Sequence, residues 1–273
     1  LRYKMLRSQP FYKTIYDRVK KTKNIKLLQT QILDLQSKGA VTQVITSEET
    51  YESTRVITSL YDHYALFQQK KYPVLQQHFM GWFIETPKAC FDPTKILFMD
   101  FNIPQNQETR FLYVLPLDEK HALFEYTFFS EKVLDKKVYE EGIEDYLKKK
   151  GIDTFTLIEK EQGNIPMSCF PFEQANTPSL LHIGTAGGWT KASTGFTFLN
   201  TNRQVHRLID FLKKGKPLNE FTAKNRFRFY DLLFLDVLSK YNSKGSELFE
   251  RMFAKNDPLR IFRFLDEKTA LWE

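Results

Sequence analysis

Cysteine is nearly absent: Cys90 and Cys169 are the only two in 273 residues, far apart and without a CxxC spacing. That pattern gives neither a disulfide framework nor a zinc site, and it fits a reducing cytoplasm. No apolar run approaches the roughly 18 residues that a membrane span needs, and no signal peptide opens the chain, so a protein inside the cell is expected. The dinucleotide fingerprint G-x-G-x-x-G and the phosphate-loop pattern G-x-x-x-x-G-K-[ST] are both missing. Together with Leu1 in place of an initiator methionine, this points to a sequence that begins inside a longer protein. A strong excess of one charge is lacking too, since 40 basic residues face 33 acidic ones. The short basic runs at Lys20, Lys21 and Lys23 and at Lys213, Lys214 and Lys216 fall at predicted helix ends, where cations complement the helix dipole. Nucleic acid is therefore not an expected partner.

What is present is a globular core. Hydrophobic residues make up 42% of the chain, enough to bury a sizeable interior. The 25 phenylalanines and 13 tyrosines leave room for an apolar cavity or surface as well as an aromatic-rich core. Phe11, Ile15 and Val19 recur at helical spacing over 9–20. Residues 39–62 read as a hairpin around the polar segment Ser47 to Ser53, with a second strand that includes Arg55 to Ser59. Four β-like runs follow between 76 and 129, QQHFMGWFIET, TKILFMDF, RFLYVLP and KHALFEYTFF, predicting an antiparallel sheet whose last two strands form a hairpin. Tyr139, Ile143, Tyr146 and Leu147 predict a helix that stops at Gly151. The strand DTFTLIEKE comes next, then GNIPMSCFPF, whose prolines are expected to break regular pairing. LLHIG, a glycine-rich turn and the helical pattern of 203–217 complete a strand–turn–helix unit. FRFYDLLFLDVLSKY and DPLRIFRFLDEKT are expected helices, the first so apolar that it is either buried or presents one face to a partner or membrane.

The turn IGTAGGWTKASTGFTF, residues 183–198, holds four of the eleven glycines. Bare backbone between a buried strand and a helix lets main-chain N–H groups approach an anion or a polar cofactor edge. The alternative is a structural turn whose glycines only supply positive φ. The strand–helix context, with donors from serine and threonine alongside, favours a cofactor.

KYPVLQQHFMGWFIET, FMDF, TRFLYVLPL, ALFEYTFFS, GNIPMSCF, IGTAGGWTKASTGFTF and YDLLFLDVL, in that order and spacing, resemble lycopene cyclases of the flavin-dependent β-cyclase family, over nearly the whole chain. The bacterial branch carries GTAGGWTKASTG almost verbatim. The resemblance implies an α+β fold of the α/β flavoprotein type: a remnant of a Rossmann-like FAD-binding domain (1–66), a β-sheet substrate domain (67–174), a return segment of the FAD domain (175–216) and a C-terminal helical region (217–273). Gly184, Thr185 and Ala186 stand where related flavoproteins meet the ribityl chain, with Thr185 in place of the usual aspartate. A threonine hydroxyl bonds a ribityl oxygen more weakly than a carboxylate does. Gly187 and Gly188 continue that turn, Ser193, Thr194 and Gly195 match the family's S-T-G-[YF] element, and Pro166 matches its I-P-[ML] segment beside the flavin.

The implied reaction turns the ψ end group of lycopene into a β-ionone ring without net redox change. Reduced FAD, kept reduced by NAD(P)H, is the implied cofactor, and a membrane-dissolved substrate implies peripheral attachment to the inner face of the membrane. Protonating an alkene needs a strong acid held dry. Glu125 in ALFEYTFF is the candidate. By strand periodicity it shares a face with Leu123, Thr127 and Phe129, while Phe124, Tyr126 and Phe128 point the other way. On composition alone an edge-strand glutamate reaching water is the competing reading; the match to the family's F-L-E-E-T or L-I-E-D-T signature favours the acid. Tyr126 stands where that signature has a second carboxylate. Asp100 in FMDF matches a family Met-Asp pair, although an aspartate capping a turn is an equal reading. Glu85 and His78 are weaker candidates, the latter expected to be structural. Another flavoprotein of the same fold, such as a prenyl reductase or a hydroxylase, and a non-enzymatic carotenoid- or lipid-binding protein are the competing functions.

Overall fold

The computed structural model describes residues 4–223 and 226–270. The two ends of the chain assigned to the outer segments, 1–3 and 271–273, lie outside them, as do residues 224–225 of the helical region. The chain opens with α1 (Ser8–Lys20), which buries none of its residues, and a small sheet of β1 (Ile32–Lys38), β2 (Val41–Thr46) and β3 (Thr50–Ser53) in that order. The predicted hairpin is therefore shorter than its pattern suggested. Thr46 closes it early, its hydroxyl donating to Glu49 O at 2.7 Å and accepting from Glu49 N at 3.1 Å, so pairing resumes already at Thr50. Ser53 and Arg55 then bond across a bend, and Val56–Thr58 (β4) leaves this sheet altogether. It pairs in parallel with β10 (Leu180–His182), Ile57 opposite Leu181.

After α2 (His63–Gln68), the antiparallel sheet predicted from 76–129 forms from β5 (Val74–Glu85), β6 (Leu97–Asp100), β7 (Thr109–Pro116), β8 (His121–Ser130) and a fifth member, β9 (Thr156–Ser168). Their spatial order is β6-β7-β8-β5-β9. Pairing does not stop at the prolines: β9 runs on to Ser168 with Pro166 opposite Gln76. The position of β9 at the sheet edge explains this, because an edge strand tolerates a residue with no N–H to donate.

Helix α3 (Lys136–Lys149) is capped by Asp135, whose carboxylate accepts from Lys137 N at 2.9 Å. It covers one face of the sheet, burying Tyr139, Ile143, Tyr146 and Leu147 against Met80, Trp82, Leu112, Phe124, Tyr126 and Phe128. The opposite face is covered towards one end by α5 (Phe227–Lys240) and α6 (Gly245–Lys255), whose Leu235, Leu238 and Phe249 pack on Leu75, Phe111, Phe129 and Met167. Sequence patterning did not single out α6; Asn242 before it is pinned to the sheet, accepting from Thr109 N at 2.6 Å and donating to Phe129 O at 2.8 Å. Helices α4 (Phe198–Leu212) and α7 (Pro258–Leu265) complete the fold. Helix α5 proves two-sided, with Phe227, Asp231, Leu235 and Leu238 inward and Phe229, Leu233, Val237 and Tyr241 outward.

His78 is structural. It is buried on the α3 face, with Nε2 2.7 Å from Ser130 Oγ and Nδ1 2.6 Å from Tyr139 OH, and burial pushes its imidazole down to about 4. An unfolded His78 takes up a proton near its ordinary 6.5 that the folded one refuses until about 4. Its contribution is thus complete above pH 6.5 and lost as pH falls towards 4. We expect denaturant titrations to show stability falling across this window, by at most about 3 kcal/mol from this group. In His78→Gln the fall should be measurably shallower.

Candidate active site

The strand–turn–helix unit forms as its residue types require. From β10 the chain enters a tight turn over Gly184–Gly187, followed by Gly188 in the left-handed region at φ 68°. Ala186 and Gly187 are buried, while Thr185 is half-buried. The Thr185 hydroxyl lies 3.0 Å from that of Thr190, which lies 2.9 Å from that of Thr197, and Thr197 Oγ1 donates to Gly195 O at 3.1 Å. This threonine chain joins the first glycine turn to the second. In the second turn, Lys191 O accepts from both Thr194 N and Gly195 N, and Lys191 N donates to Phe196 O. Ser193 does not face the threonine chain; its hydroxyl donates to Asp231 Oδ1 of α5 at 2.6 Å.

Gly195, at φ 67°, is where the turn meets the sheet. A Cβ there would stand 2.5 Å from Gln77 Oε1 and 3.3 Å from Ile165 Cγ2. Gln77 Oε1 is buried and has no hydrogen-bond partner among the described residues. A bare backbone beside a buried, unanswered acceptor is a place where a ligand donor fits. Pro166 stands one residue away from this contact, in the cross-strand row of Gln76. It belongs to the α3 face, and Ile165 is the β9 residue that meets the turn.

Glu125 lies on the same sheet face as Gln77. Cross-strand rows on this face run Phe129–Gln77–Ile165, Thr127–Phe79–Gly163, Glu125–Gly81–Glu161 and Leu123–Phe83–Glu159. Two such steps of two residues put the Glu125 row roughly 13 Å along the strand from the Gly195 contact. Between them lies the Phe79 row, its ring filling the space above Gly163. Gly81 leaves a gap into which Glu161 leans, since a Cβ at 81 would stand 2.8 Å from Glu161 Cγ and 2.9 Å from Leu123 Cδ1. Beyond it Arg7 stacks 4.1 Å above the Phe83 ring and pairs with Glu159.

Burial pushes the Glu125 carboxyl up to about 7; a hydrogen bond from Thr127 Oγ1 at 3.0 Å opposes the shift and the Glu161 charge adds to it. Glu161 is raised as well, by burial first, with Arg7 opposing. An acid of this kind is partly protonated at neutral pH, which an exposed glutamate is not. Asp100 is different in place and charge. It pairs with Leu112 and so lies on the α3 face, away from Glu125. Burial alone would raise its carboxyl, but Tyr146 OH at 2.5 Å, Asn102 N at 2.9 Å and the Lys150 ammonium at 3.5 Å outweigh it and hold it below the usual range. An aspartate bonded in this way caps the strand end. Glu85 ends β5 in an exposed position opposite His121.

The structure thus gathers Gly195, Gln77 and Glu125 on one sheet face, with Gly184–Gly188 joined to them through the threonines, and leaves Asp100 and Pro166 on the other. Gln77, Gly81, Glu161, Lys191 and Asp231 were not singled out from sequence. Two of them carried a signal: Gly81, because a glycine inside a strand pattern marks a close approach, and Asp231, a carboxylate inside an apolar helix.

Residues 1–273 match the family described as lycopene cyclase protein. The chain belongs to this family. Over 95 residues this lycopene cyclase family member is 32% identical to a lycopene beta-cyclase of Pantoea ananas, a stretch of 34% of this chain and 24% of that protein. Among solved structures, it is similar to a geranylgeranyl bacteriochlorophyll reductase-like protein from Thermoplasma acidophilum, with a TM-score of 0.54 and 12% identity over 86% of this chain and 65% of that one. It is also similar to the flavin-dependent halogenase CmlS, with a TM-score of 0.50 and 11% identity over 83% of this chain and 42% of that one. The chain therefore spans less than two thirds of the relatives it matches. The mixed α/β fold is that of these structures.

The two neighbours of Glu125 have opposite effects. Thr127→Val should move its titration midpoint above that of the native protein, and Glu161→Gln should move it below. Carboxyl 13C NMR of the labelled protein reads both directions.

Proposed function

We propose that this lycopene cyclase family member closes the ψ end groups of lycopene into β-ionone rings, with Glu125 as the acid. The observation that carries the reading is Glu125 itself: a carboxyl raised to about 7 on the sheet face that also meets the glycine-rich turn. Its proton adds to the terminal alkene, the resulting tertiary cation is attacked by the next double bond within the chain, and loss of a ring proton restores neutrality. Substrate and product are isomers, so no electrons are transferred overall. Phe83, Phe79, Phe111 and Tyr113 line this side of the sheet, and aromatic ring faces stabilise a passing cation without quenching it.

FAD is the proposed cofactor, and the residues present fit it. Gly184–Gly188 and the turn at 193–195 would hold it, with Gln77 Oε1 accepting from a flavin N–H. Thr185 would contribute through its own hydroxyl, which is hydrogen-bonded to that of Thr190 at 3.0 Å. When reduced at the expense of NAD(P)H, the flavin would supply electron-rich stabilisation of developing positive charge. In the full-length protein, Glu125→Gln should lower cyclisation in a lycopene-accumulating host by about a hundredfold or more. Undiminished ring formation would sink the assignment, and NAD(P)H consumed in proportion to product would favour a reductase instead.

We also propose that α5 attaches the protein to the membrane surface. Among the described residues no helix is long and apolar enough to cross a bilayer. Phe229, Leu233 and Val237, each four residues apart and between 45% and 61% exposed, form one apolar stripe on its outer side, and the exposed Tyr241 follows just past the helix end. Full-length protein should co-float with anionic liposomes, and Leu233→Glu/Val237→Glu should abolish flotation; equal flotation of both would refute this role for α5.

A further inference from the structure

A buried charge network ties the glycine-rich turn to the C-terminal helices, and the acid chemistry does not use it. Lys191 and Asp231 are 2% and 5% exposed. Lys191 Nζ stands 2.9 Å from Asp231 Oδ1 and 3.4 Å from Glu267 Oε1, the segment after α7. The second turn is thus closed by the main chain of Lys191 and anchored by its side chain. Ser193 adds a second tie to the same carboxylate, at 2.6 Å. The helix that carries Asp231 is itself tied to the sheet, because Arg228 of α5 donates to Cys169 O just beyond β9 at 2.5 Å. Beside the network lies a cavity of about 60 Å³, lined in part by Lys191, Asp231, Glu267, Arg228 and Asn200.

The first glycine turn is held by the buried Trp189, packed on Leu181, Leu208 and Phe221, whereas residues 192–195, made of alanine, serine, threonine and glycine, have little side-chain bulk with which to hold their own position. A buried ion pair is weak evidence for net stability, but it is directional and fixes geometry. The turn must stand where Gly195 meets Gln77, and two carboxylates, Asp231 on α5 and Glu267 beyond α7, hold it from behind through three contacts. We propose that Asp231 is the positioning residue of the cofactor turn, receiving Lys191 and Ser193 together so that the C-terminal helices set where residues 193–195 stand. The proposal rests on the flavin reading of that turn.

The test is titration of full-length apoprotein with FAD, followed by quenching of flavin fluorescence, alongside thermal melts of the apo forms. Lys191→Met/Asp231→Leu removes the pair while Glu267 keeps Arg203 at 3.8 Å, so no lone buried charge is left, a type of replacement that folds are able to accept. It should keep an apo melt close to that of the native protein while its dissociation constant for FAD rises by about tenfold or more. Ser193→Ala, which exposes no unpaired charge, should raise the constant by about threefold to tenfold. Native affinity in the folded double variant overturns the proposal. Should the double variant not fold, native affinity in Ser193→Ala does so. Native protein that binds no FAD defeats the flavin reading itself, and the tether with it; native binding with unchanged variants defeats the tether alone.

Discussion

The alternation of side chains along β8 is the constraint on which the rest depends. Phe124, Tyr126 and Phe128 are committed to the α3 interface, where they fill a core shared with Met80, Ile143 and Leu147. Once that face is fixed, Glu125 has no choice of side, and a slip of one residue would carry every member of both sets to the wrong face. The register with β5 then puts Gly81 beside the carboxyl, and the register of β9 puts Glu161 beyond it. The chemistry available to this face follows from the packing of the other.

Keeping a carboxyl protonated near neutral pH requires that its charged form be made unfavourable without breaking the fold. Burial does most of this at Glu125, and a like charge nearby adds to it. Asp100 shows the contrary case in the same sheet: less deeply buried and supplied with two hydrogen bonds and an ammonium, it is held in its charged form. Identical chemistry in the side chain leads to opposite shifts because the depth of burial and the partners both differ. Thr127 marks the limit of this design, since its hydroxyl partly restores the charged form of Glu125 that burial disfavours.

The strongly periodic elements were legible in the sequence. The stripe Tyr139, Ile143, Tyr146 and Leu147 became the buried side of α3, and the four β-like runs became four neighbouring strands of one sheet. What failed was partner choice. Val56–Thr58 reads as a hairpin strand, but its partner lies at 180–182, and no local pattern carries that information. Pro166 reads as a strand breaker until β9 is known to be an edge. Within the candidate site, the glycine turn stands out by residue type because bare backbone is unusual, whereas Glu125 reads by composition as an edge-strand glutamate and is favoured as an acid only by the likeness of its segment to the family signature. Gln77 and Lys191 do not stand out, since a glutamine on a strand and a lysine in a polar turn look ordinary until their neighbours are in place.

The parallel pairing of β4 with β10 has one more implication. Everything from residue 59 to residue 179, including the whole five-stranded sheet, leaves from one end of this three-residue parallel ladder and returns at the other. The sheet is in effect a module plugged into a two-strand socket. Its far connections, such as the one between Glu85 and Leu97, can lengthen, shorten or change sequence over evolutionary time without disturbing the socket or the glycine turn that follows it. Variation in those connections is thus confined to one end of the molecule while the other end stays constant.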